Sequence, residues 1–464
     1  MTSKKIHIIG ICGTFMGGVA KLAKELGFQV QGSDQNTYPP MSTQLESLGV
    51  TLFNGYDSSN IDENIDTIIV GNTISRGNPE LEYVLNTKMP YISGAQWLSE
   101  NVLHERWVLA ISGTHGKTTT SSLLAWILED CGYQPGFLIG GVPENFGISA
   151  RLGKSDFFVI EADEYDTAFS DKRSKFIHYK PNTLVINNLE FDHADIFSDL
   201  KAIQTQFHHL IKIIPTNGQI IYNAQQSSIQ ETLEKGIWSE TQSFSYSEKN
   251  NDEQNNFHVI KSNESGSAFD VIHENKRYSC EWNLIGEHNL NNAIAAIAAA
   301  RHIGVTIQEA CQSLKQFKSV KRRLELRGQV NNICVYDDFA HHPTAIASTI
   351  SGLKARINSE NHCADNKQGK LIAVIEARSN TMKMGTHKHA LKKAVIDADR
   401  TFFAIPENVS WDTDEISGSN IHLINDIEQL VSEIISIAQP NDHILIMSNG
   451  GFSDIHNILL GRLA

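Results

Sequence analysis

Residues 108–122 read VLAISGTHGKTTTSS, an apolar run that gives way to a glycine turn, then Lys-Thr, then a stretch of helical character. A strand that feeds such a turn presents the unpaired N–H groups of a helix N-terminus, with their partial positive charge, at the end of a sheet. This is an anion site, and its candidate residues are Gly113, Thr114, His115, Gly116, Lys117, Thr118 and Thr119. Glycine lets the backbone approach a phosphate, Lys117 reaches terminal phosphate oxygens, and the Thr118 hydroxyl is suited to ligate Mg²⁺. Ile111 stands where the full triphosphate-loop pattern has its first glycine. The turn is therefore expected to be shorter, with its phosphate site retained. The alternative is a plain strand-to-helix turn with an exposed lysine.

The design recurs without a lysine in IHIIGICGTFMGG, residues 6–18. Gly10, Gly13, Thr14 and Gly17 belong to this second turn. Ser33 and Asp34 end the next candidate strand, where dinucleotide folds place an acid against a ribose. Taken alone, this stretch also fits an NAD enzyme or a tight turn with no ligand. Two anion-binding turns call for two phosphorylated ligands.

Outward from these turns, KIHIIG, DTIIVGN, WVLAISG, DFFVIEAD, TLVINN, ICVYDDF, KLIAVIEA, TFFAI and HILIMSNGG read as strands, most followed by a helical pattern. The expected class is α/β with parallel sheets. A length of 464 residues suggests about three domains. The blocks are 1–105, 106–325 and 326–464. SEKNNDEQNNFHVIKSNESGSA is expected to be a hairpin insertion or mobile loop, and residues 358–370 a solvated loop.

Hydrophobic residues make up 41% and charged residues 20%, as in a soluble protein with sizeable cores. The net charge of −14 argues against a general nucleic-acid binder, which needs a basic surface. Six scattered cysteines suggest neither a disulfide framework nor a zinc knuckle. No signal peptide or membrane span is visible, so a cytoplasmic protein is expected.

Four further groups carry chemistry. VIEADEYD sets Glu161, Asp163 and Glu164 at a strand end, where a carboxylate could complete a magnesium site. INNLEFDHAD sets Asp192, His193 and Asp195 after another strand, suited to a metal or to proton transfer. In GEHNLNNAIAAIAAA, Asn292 could meet a base edge or cap a helix. In KRRLELRG, Arg322 and Arg323 could reach phosphates or form a solvated face. DDFAHHPT places acids and histidines beyond a strand without zinc-site spacing, which favours nucleotide contact.

In this order, GTHGKTTT, EADE, DHAD, GEHNLNNAIAA, KRR and DDFAHHPT resemble the Mur ligase family over essentially the whole chain. The family consists of ATP-dependent amide-bond-forming enzymes of peptidoglycan assembly. The resemblance implies a Rossmann-like N-terminal domain for a UDP-sugar, a central P-loop-type ATPase domain and a C-terminal Rossmann-like domain for the incoming amine. It implies ATP and Mg²⁺, with Thr118, Glu161 and His193 as metal ligands, Asn292 at the adenine, Asp338 at the ribose and Arg323 at a phosphate. Lys117, His193, Arg323 and His341 would be catalytic, and Gly10 to Gly18 would cradle the UDP pyrophosphate. Several relatives carry a CO₂-modified lysine where Gln204-Thr205-Gln206-Phe207 stands here, so no such residue is carried over. The segments ICGTFMGG, SDQNTYPPMST, DDFAHHPT and EARSNTMKMGTHKHAL resemble the branch that attaches a tripeptide to UDP-N-acetylmuramate, with Arg378 as a candidate peptide contact. The rival readings are addition of free L-alanine to the same sugar, an NAD oxidoreductase and a non-catalytic nucleotide switch. A monomer without nucleic-acid or membrane partners is expected.

Overall fold

The computed structural model describes residues 4–37, 41–246, 257–361, 369–405, 409, 411–416 and 418–464. Among them the strands form three main sheets and a two-stranded ribbon.

The first sheet is wholly parallel. It contains β1 (Lys5–Ile9), β2 (Gln29–Asp34), β3 (Thr51–Asn54), β4 (Thr67–Val70) and β5 (Tyr91–Ser93), in the order β3-β2-β1-β4-β5. The chain runs outward from β1 through β2 to β3 and then crosses to β4 on the other side of β1, so a crevice opens at the carboxyl ends of β1 and β4, the usual ligand position in such sheets. Gly10, with φ +82°, makes the turn there, and the helix Thr14–Glu25 follows.

This sheet is held by a buried carboxylate. Glu80 is 0% exposed on the helix Pro79–Thr87. Its Oε2 accepts from Ser33 Oγ and lies 3.2 Å from His7 Nε2, and its Oε1 accepts from Asn60 Nδ2 at 2.7 Å. Burial works against the charge, but the bonds from His7, Ser33 and Asn60 outweigh it and hold the carboxyl below its usual value. The stabilisation is therefore complete above the unfolded carboxyl range and is lost as pH falls through the lower folded value. Glu80→Ala leaves His7 and Ser33 buried without this acceptor. Urea unfolding should show a loss of about 3 kcal/mol near neutral pH, narrowing in acid.

The central block holds β6 (Trp107–Ser112), β7 (Gly136–Leu138), β8 (Ala150–Arg151), β9 (Phe157–Glu161), β10 (Asp166–Ala168), β11 (Asp171–Ser174), β12 (Thr183–Ile186) and β13 (Gln219–Asn223). It continues with β14 (Glu240–Tyr246), β15 (Phe257–Lys261), β16 (Ala268–His273) and β17 (Lys276–Glu281). The order is β17-β16-β15-β14-β13-β12-β6-β9-β7-β8, with β10 and β11 as a separate ribbon. Strand β6 is flanked in parallel by β12 and β9, so three carboxyl ends converge on its glycine turn. Residues of β6 alternate between two cores, Val108 and Ala110 on one face, Leu109 and Ile111 on the other. Of the polar stretch expected as a hairpin or loop, residues 247–256 lie outside the described residues, and the rest forms the antiparallel pair β15–β16.

Two expectations need correction. Cys280 on β17 and Cys311 on the helix Ile307–Leu314 are not scattered in space: their Cα atoms lie 5.2 Å apart and their sulfurs meet as a disulfide pair. The expected loop at 358–370 begins later, because the helix Pro343–Asn361 runs through its first residues. Residues 362–368 lie outside the described ones.

The third block holds β18 (Glu325–Val330), β19 (Ile333–Asp338), β20 (Leu371–Glu376), β21 (Arg400–Ala404), β22 (Ile421–Leu423) and β23 (His443–Met447), in the order β18-β19-β23-β20-β21-β22. Only β18 runs antiparallel. The ends of β19, β23 and β20 face the central site. No helix among the described residues is long and apolar enough to cross a membrane. One apolar cluster runs continuously from the first block into the central block, from Ile8 and Val19 to Leu138 and Phe158. The third block has its own clusters, one of which takes Ile285 from the central block.

Candidate active site

Ile111 is fully buried and still in the strand, paired with Val185 and Glu161. The turn therefore starts at Gly113 and ends at Gly116, directly before the helix Lys117–Asp130. Gly113 and Gly116 have φ of +136° and +79°, which disfavours any side chain. Thr114 and His115 are fixed from the β12 side. His115 N donates to Asn188 Oδ1 at 2.7 Å, Asn188 Nδ2 donates to His115 O at 3.0 Å, and Glu190 N donates to Thr114 Oγ1 at 2.8 Å. The turn is thus a held loop at a helix N-terminus.

Lys117 Nζ donates to Gly113 O at 2.6 Å and lies 3.4 Å from Glu164 Oε2. Burial pulls its pKa down, but Glu164, Glu161 and Asp163 together push it above the ordinary value. Burial likewise opposes the Glu164 charge, yet Lys117 and His193 hold that carboxyl at about 2. His193 Nε2 sits 3.2 Å from Glu164 Oε1, and its Nδ1 2.8 Å from Tyr165 Oη. Burial lowers the His193 pKa, while the Glu164 bond and the Glu164 and Asp192 charges raise it further, leaving it above normal. The result is an alternating chain of charge: Lys117, Glu164, His193, Asp192.

Beside it, Thr118 Oγ1 donates to Glu161 at 3.0 and 3.1 Å from its two oxygens, and Gly140 N donates to Glu161 Oε2 at 2.7 Å. Hydroxyl and carboxylate form a hard-oxygen donor set of the kind Mg²⁺ takes. Arg323 Nη2 donates to Thr118 Oγ1 at 3.3 Å from the end of the central block, its guanidinium 5.1 Å from the ring centre of Phe339 in the third. Arg322 turns the other way, donating to Ser448 O and Gly450 O at 2.7 Å each. Of the three expected metal ligands, Thr118 and Glu161 touch each other, whereas His193 touches Glu164. Thr119 is buried in the first helical turn.

Asn292 lies beneath the loop. Its Oδ1 accepts from Thr120 Oγ1 at 3.0 Å and Asn187 Nδ2 at 2.6 Å, its Nδ2 donates to Asn289 Oδ1 at 3.1 Å, and it is 2% exposed. The amide oxygen thus ties the loop and its helix to the end of β12, and the amide nitrogen bonds within its own helix. Asp338 accepts from Leu324 N and Ala340 N at 2.7 and 2.8 Å. Burial raises its pKa against the pull of Arg323. His341 Nδ1 faces Phe339 O at 3.0 Å, and burial drops the imidazole to about 4, so it is neutral near pH 7.

In the first block, Gly10 N donates to Ser33 O at 2.8 Å and Cys12 N donates to Asp34 Oδ2 at 2.9 Å, so β2 closes the turn. Gly13 caps the following helix without a side-chain bond, leaving the Thr14 end open. Ser33 is buried with Glu80. Gly17 is different: a Cβ there would collide with Met41, and one on Gly18 with Leu138 of the central block. Both glycines therefore lie against packed side chains. Residues 38–40 of SDQNTYPPMST lie outside the described ones.

In the third block, Arg378 is exposed and rests over Gly450 after β20. The same segment reaches the central block, where Thr381 Oγ1 donates to Asp192 Oδ1 at 2.9 Å and Asn380 Nδ2 to Asp195 Oδ2 at 3.0 Å. Asn188, Glu164 and Glu190 matter more than their sequence signal suggested. The Asn-Asn pair at the end of an apolar strand was the available cue for the first.

The chain matches the models of the Mur ligase family catalytic domain over residues 5–106, the Mur ligase middle domain over 111–300 and the Mur ligase glutamate ligase domain over 322–450. It is 51% identical to the UDP-N-acetylmuramate–L-alanyl-γ-D-glutamyl-meso-2,6-diaminoheptandioate ligase of Escherichia coli, across 99% of this chain and 98% of that one. A UDP-N-acetylmuramate–L-alanine ligase of Syntrophomonas wolfei is 31% identical across 96% and 94%. The crystal structure of a murein peptide ligase from Psychrobacter arcticus superposes with a TM-score of 0.76 at 44% identity, covering 99% of both chains. With its phosphate loop, its paired hydroxyl and carboxylate and its three successive domain matches, the chain belongs to the Mur ligase family of ATP-dependent amide ligases.

Proposed function

We propose that this enzyme joins the tripeptide L-alanyl-γ-D-glutamyl-meso-diaminopimelate to the lactyl carboxylate of UDP-N-acetylmuramate, with ATP cleaved to ADP and phosphate, in peptidoglycan recycling. The observation that carries the reading is the full-length similarity to a ligase for this tripeptide, supported by the contact of Thr381 in the third block with Asp192 in the central one. Residues 1–105 take the UDP-sugar, 106–325 the ATP and 326–464 the peptide, in a cytoplasmic monomer.

The lactyl carboxylate attacks the γ-phosphorus of ATP, ADP leaves, and the peptide amine then displaces phosphate from the acyl phosphate. Both partners in the first step are anions, so positive charge must lie between them. Lys117 and Arg323 supply it from two sides. Gly113, Thr114, His115, Gly116 and Thr119 line the phosphate cradle, with Asn292 supporting it from below, and Asp338 lies at the ribose side. Gly10, Gly13, Thr14 and Asp34 face the UDP pyrophosphate. Thr118, Glu161 and His193 would hold Mg²⁺, which when bound would neutralise phosphate charge. His341, neutral near pH 7, remains available to the amine.

Arg378 supports the peptide assignment, since an exposed guanidinium on the block that meets Asp192 and Asp195 suits an acceptor rich in carboxylates. An acceptor panel of L-alanine, dipeptide and tripeptide, each with UDP-N-acetylmuramate and ATP, tests it. The tripeptide should exceed free L-alanine by at least about 10²-fold in kcat/KM, the scale of discrimination that unpaired polar subsites impose. Equal or better use of L-alanine would move the enzyme to the L-alanine-adding branch.

A further inference from the structure

Three histidines stack where the phosphate loop meets the third block. The rings of His115 and His342 are 4.4 Å apart and those of His342 and His387 4.5 Å apart. Glu190 lies among them, its Oε2 3.8 Å from His115 Nε2 and 3.6 Å from His342 Nδ1, fixed by the Thr344 hydroxyl, which donates to it at 2.8 Å. Among the described residues, His115, Glu190 and His342 bring one ligand-type atom each within 4.8 Å of one another. His342 is 6% exposed. The Nε2 atoms of His115, His342 and His387 are buried with no hydrogen-bond partner in the structure. Glu190 is half-buried, and His115 turns its unpartnered Nε2 toward it while His342 Nδ1 accepts only a long 3.4 Å bond from Thr344 N, so two imidazole lone pairs and a carboxylate converge on one point.

We infer that His115, Glu190 and His342 form a second metal site, selective for a divalent transition metal such as zinc and separate from the oxygen-only pair Thr118 and Glu161. Two imidazoles and a carboxylate are the donor set of many open zinc centres, in which a fourth position is left to water or substrate. Atom separations of 3.6 and 3.8 Å need only small side-chain rotations to become edges of a tetrahedron with ~2.0–2.1 Å bonds. The carboxylate offsets part of the cation's charge.

The ligands come from three places: the phosphate loop, the segment after β12, and the start of the third block. A bound metal would therefore clamp the third block onto the phosphate loop. The inference does not depend on the substrates proposed above, because its test reads metal binding without turnover.

The full-length chain, stripped of metal and held in excess Mg²⁺ to fill oxygen sites, is titrated with Co²⁺. One equivalent should develop the intense visible bands of a tetrahedral nitrogen–oxygen centre, and Zn²⁺ should displace it. His342→Gln and Glu190→Gln should each weaken binding beyond the ~10–100-fold that loss of a mere supporting residue costs. His104→Gln, an exposed histidine beside Glu105, should change nothing. Absence of tetrahedral bands, bands carrying thiolate charge transfer, or bands that survive both variants would overturn the site. Since a variant could lose its fold, imidazole ¹⁵N spectra of the unaltered chain give a second reading. Two of the 19 histidines should shift with the first equivalent of zinc, and shifts in none, or spread over many, would refute it.

Discussion

Lys117→Met is expected to reduce ADP release by about 10³-fold or more, the scale set by removing a cation that faces transferring phosphate. The ammonium is held charged by Glu164, Glu161 and Asp163, and its bond to Gly113 O keeps it within the loop. Methionine fills the same space but cannot donate. The variant also leaves Glu164 buried beside His193 alone, and breaking a buried ion pair destabilises by about 3–5 kcal/mol. A second substitution, Glu164→Gln, separates the two effects. The double variant should regain much of the lost stability in thermal melts while turnover stays absent. Turnover returning with stability would show that Lys117 is structural.

Arg323→Ala should lower kcat by about 10²–10³-fold, as loss of a single transition-state donor does. Its protein bonds are few: one to Thr118 and a stack on Phe339. Stability should therefore change little. Arg323→Lys should restore only a small part, because a flexible point charge does not reproduce a planar fork. Steady-state ADP release checks both, with UDP-sugar binding as the control that should not move. An alanine variant with normal kcat and raised KM for ATP would make Arg323 a binding residue only.

How far the sequence reveals this arrangement depends on the range of the interaction. The parallel sheets were legible because each strand is a short apolar run bounded by a turn, as WVLAISG and HILIMSNGG are. The phosphate loop was legible despite Ile111, since that residue still pairs within β6 and the turn starts two residues later. Contacts between distant segments were not legible. Gly17 looked like part of a ligand turn, but what surrounds it is Met41, brought in by a separate helix. Asn292 looked free for a base, yet Asn187 and Thr120 engage its oxygen. Likewise, nothing in the spacing of His115, Glu190 and His342 announces that they meet, because each sits in a motif whose neighbours already suggest another role.

The uneven sharing of apolar surface has a thermodynamic consequence. The first and central blocks have a common cluster, whereas the third brings clusters of its own, with Ile285 the central residue they take in, and meets the rest through bonds such as Thr344 to Glu190 and Thr381 to Asp192. Between them, Ser319, Arg322 and Leu324 all hold left-handed backbone, at φ 102°, 61° and 49°. Cooperativity follows shared burial. Calorimetry of the ligand-free protein is therefore expected to show two transitions rather than three, with residues 1–325 melting together.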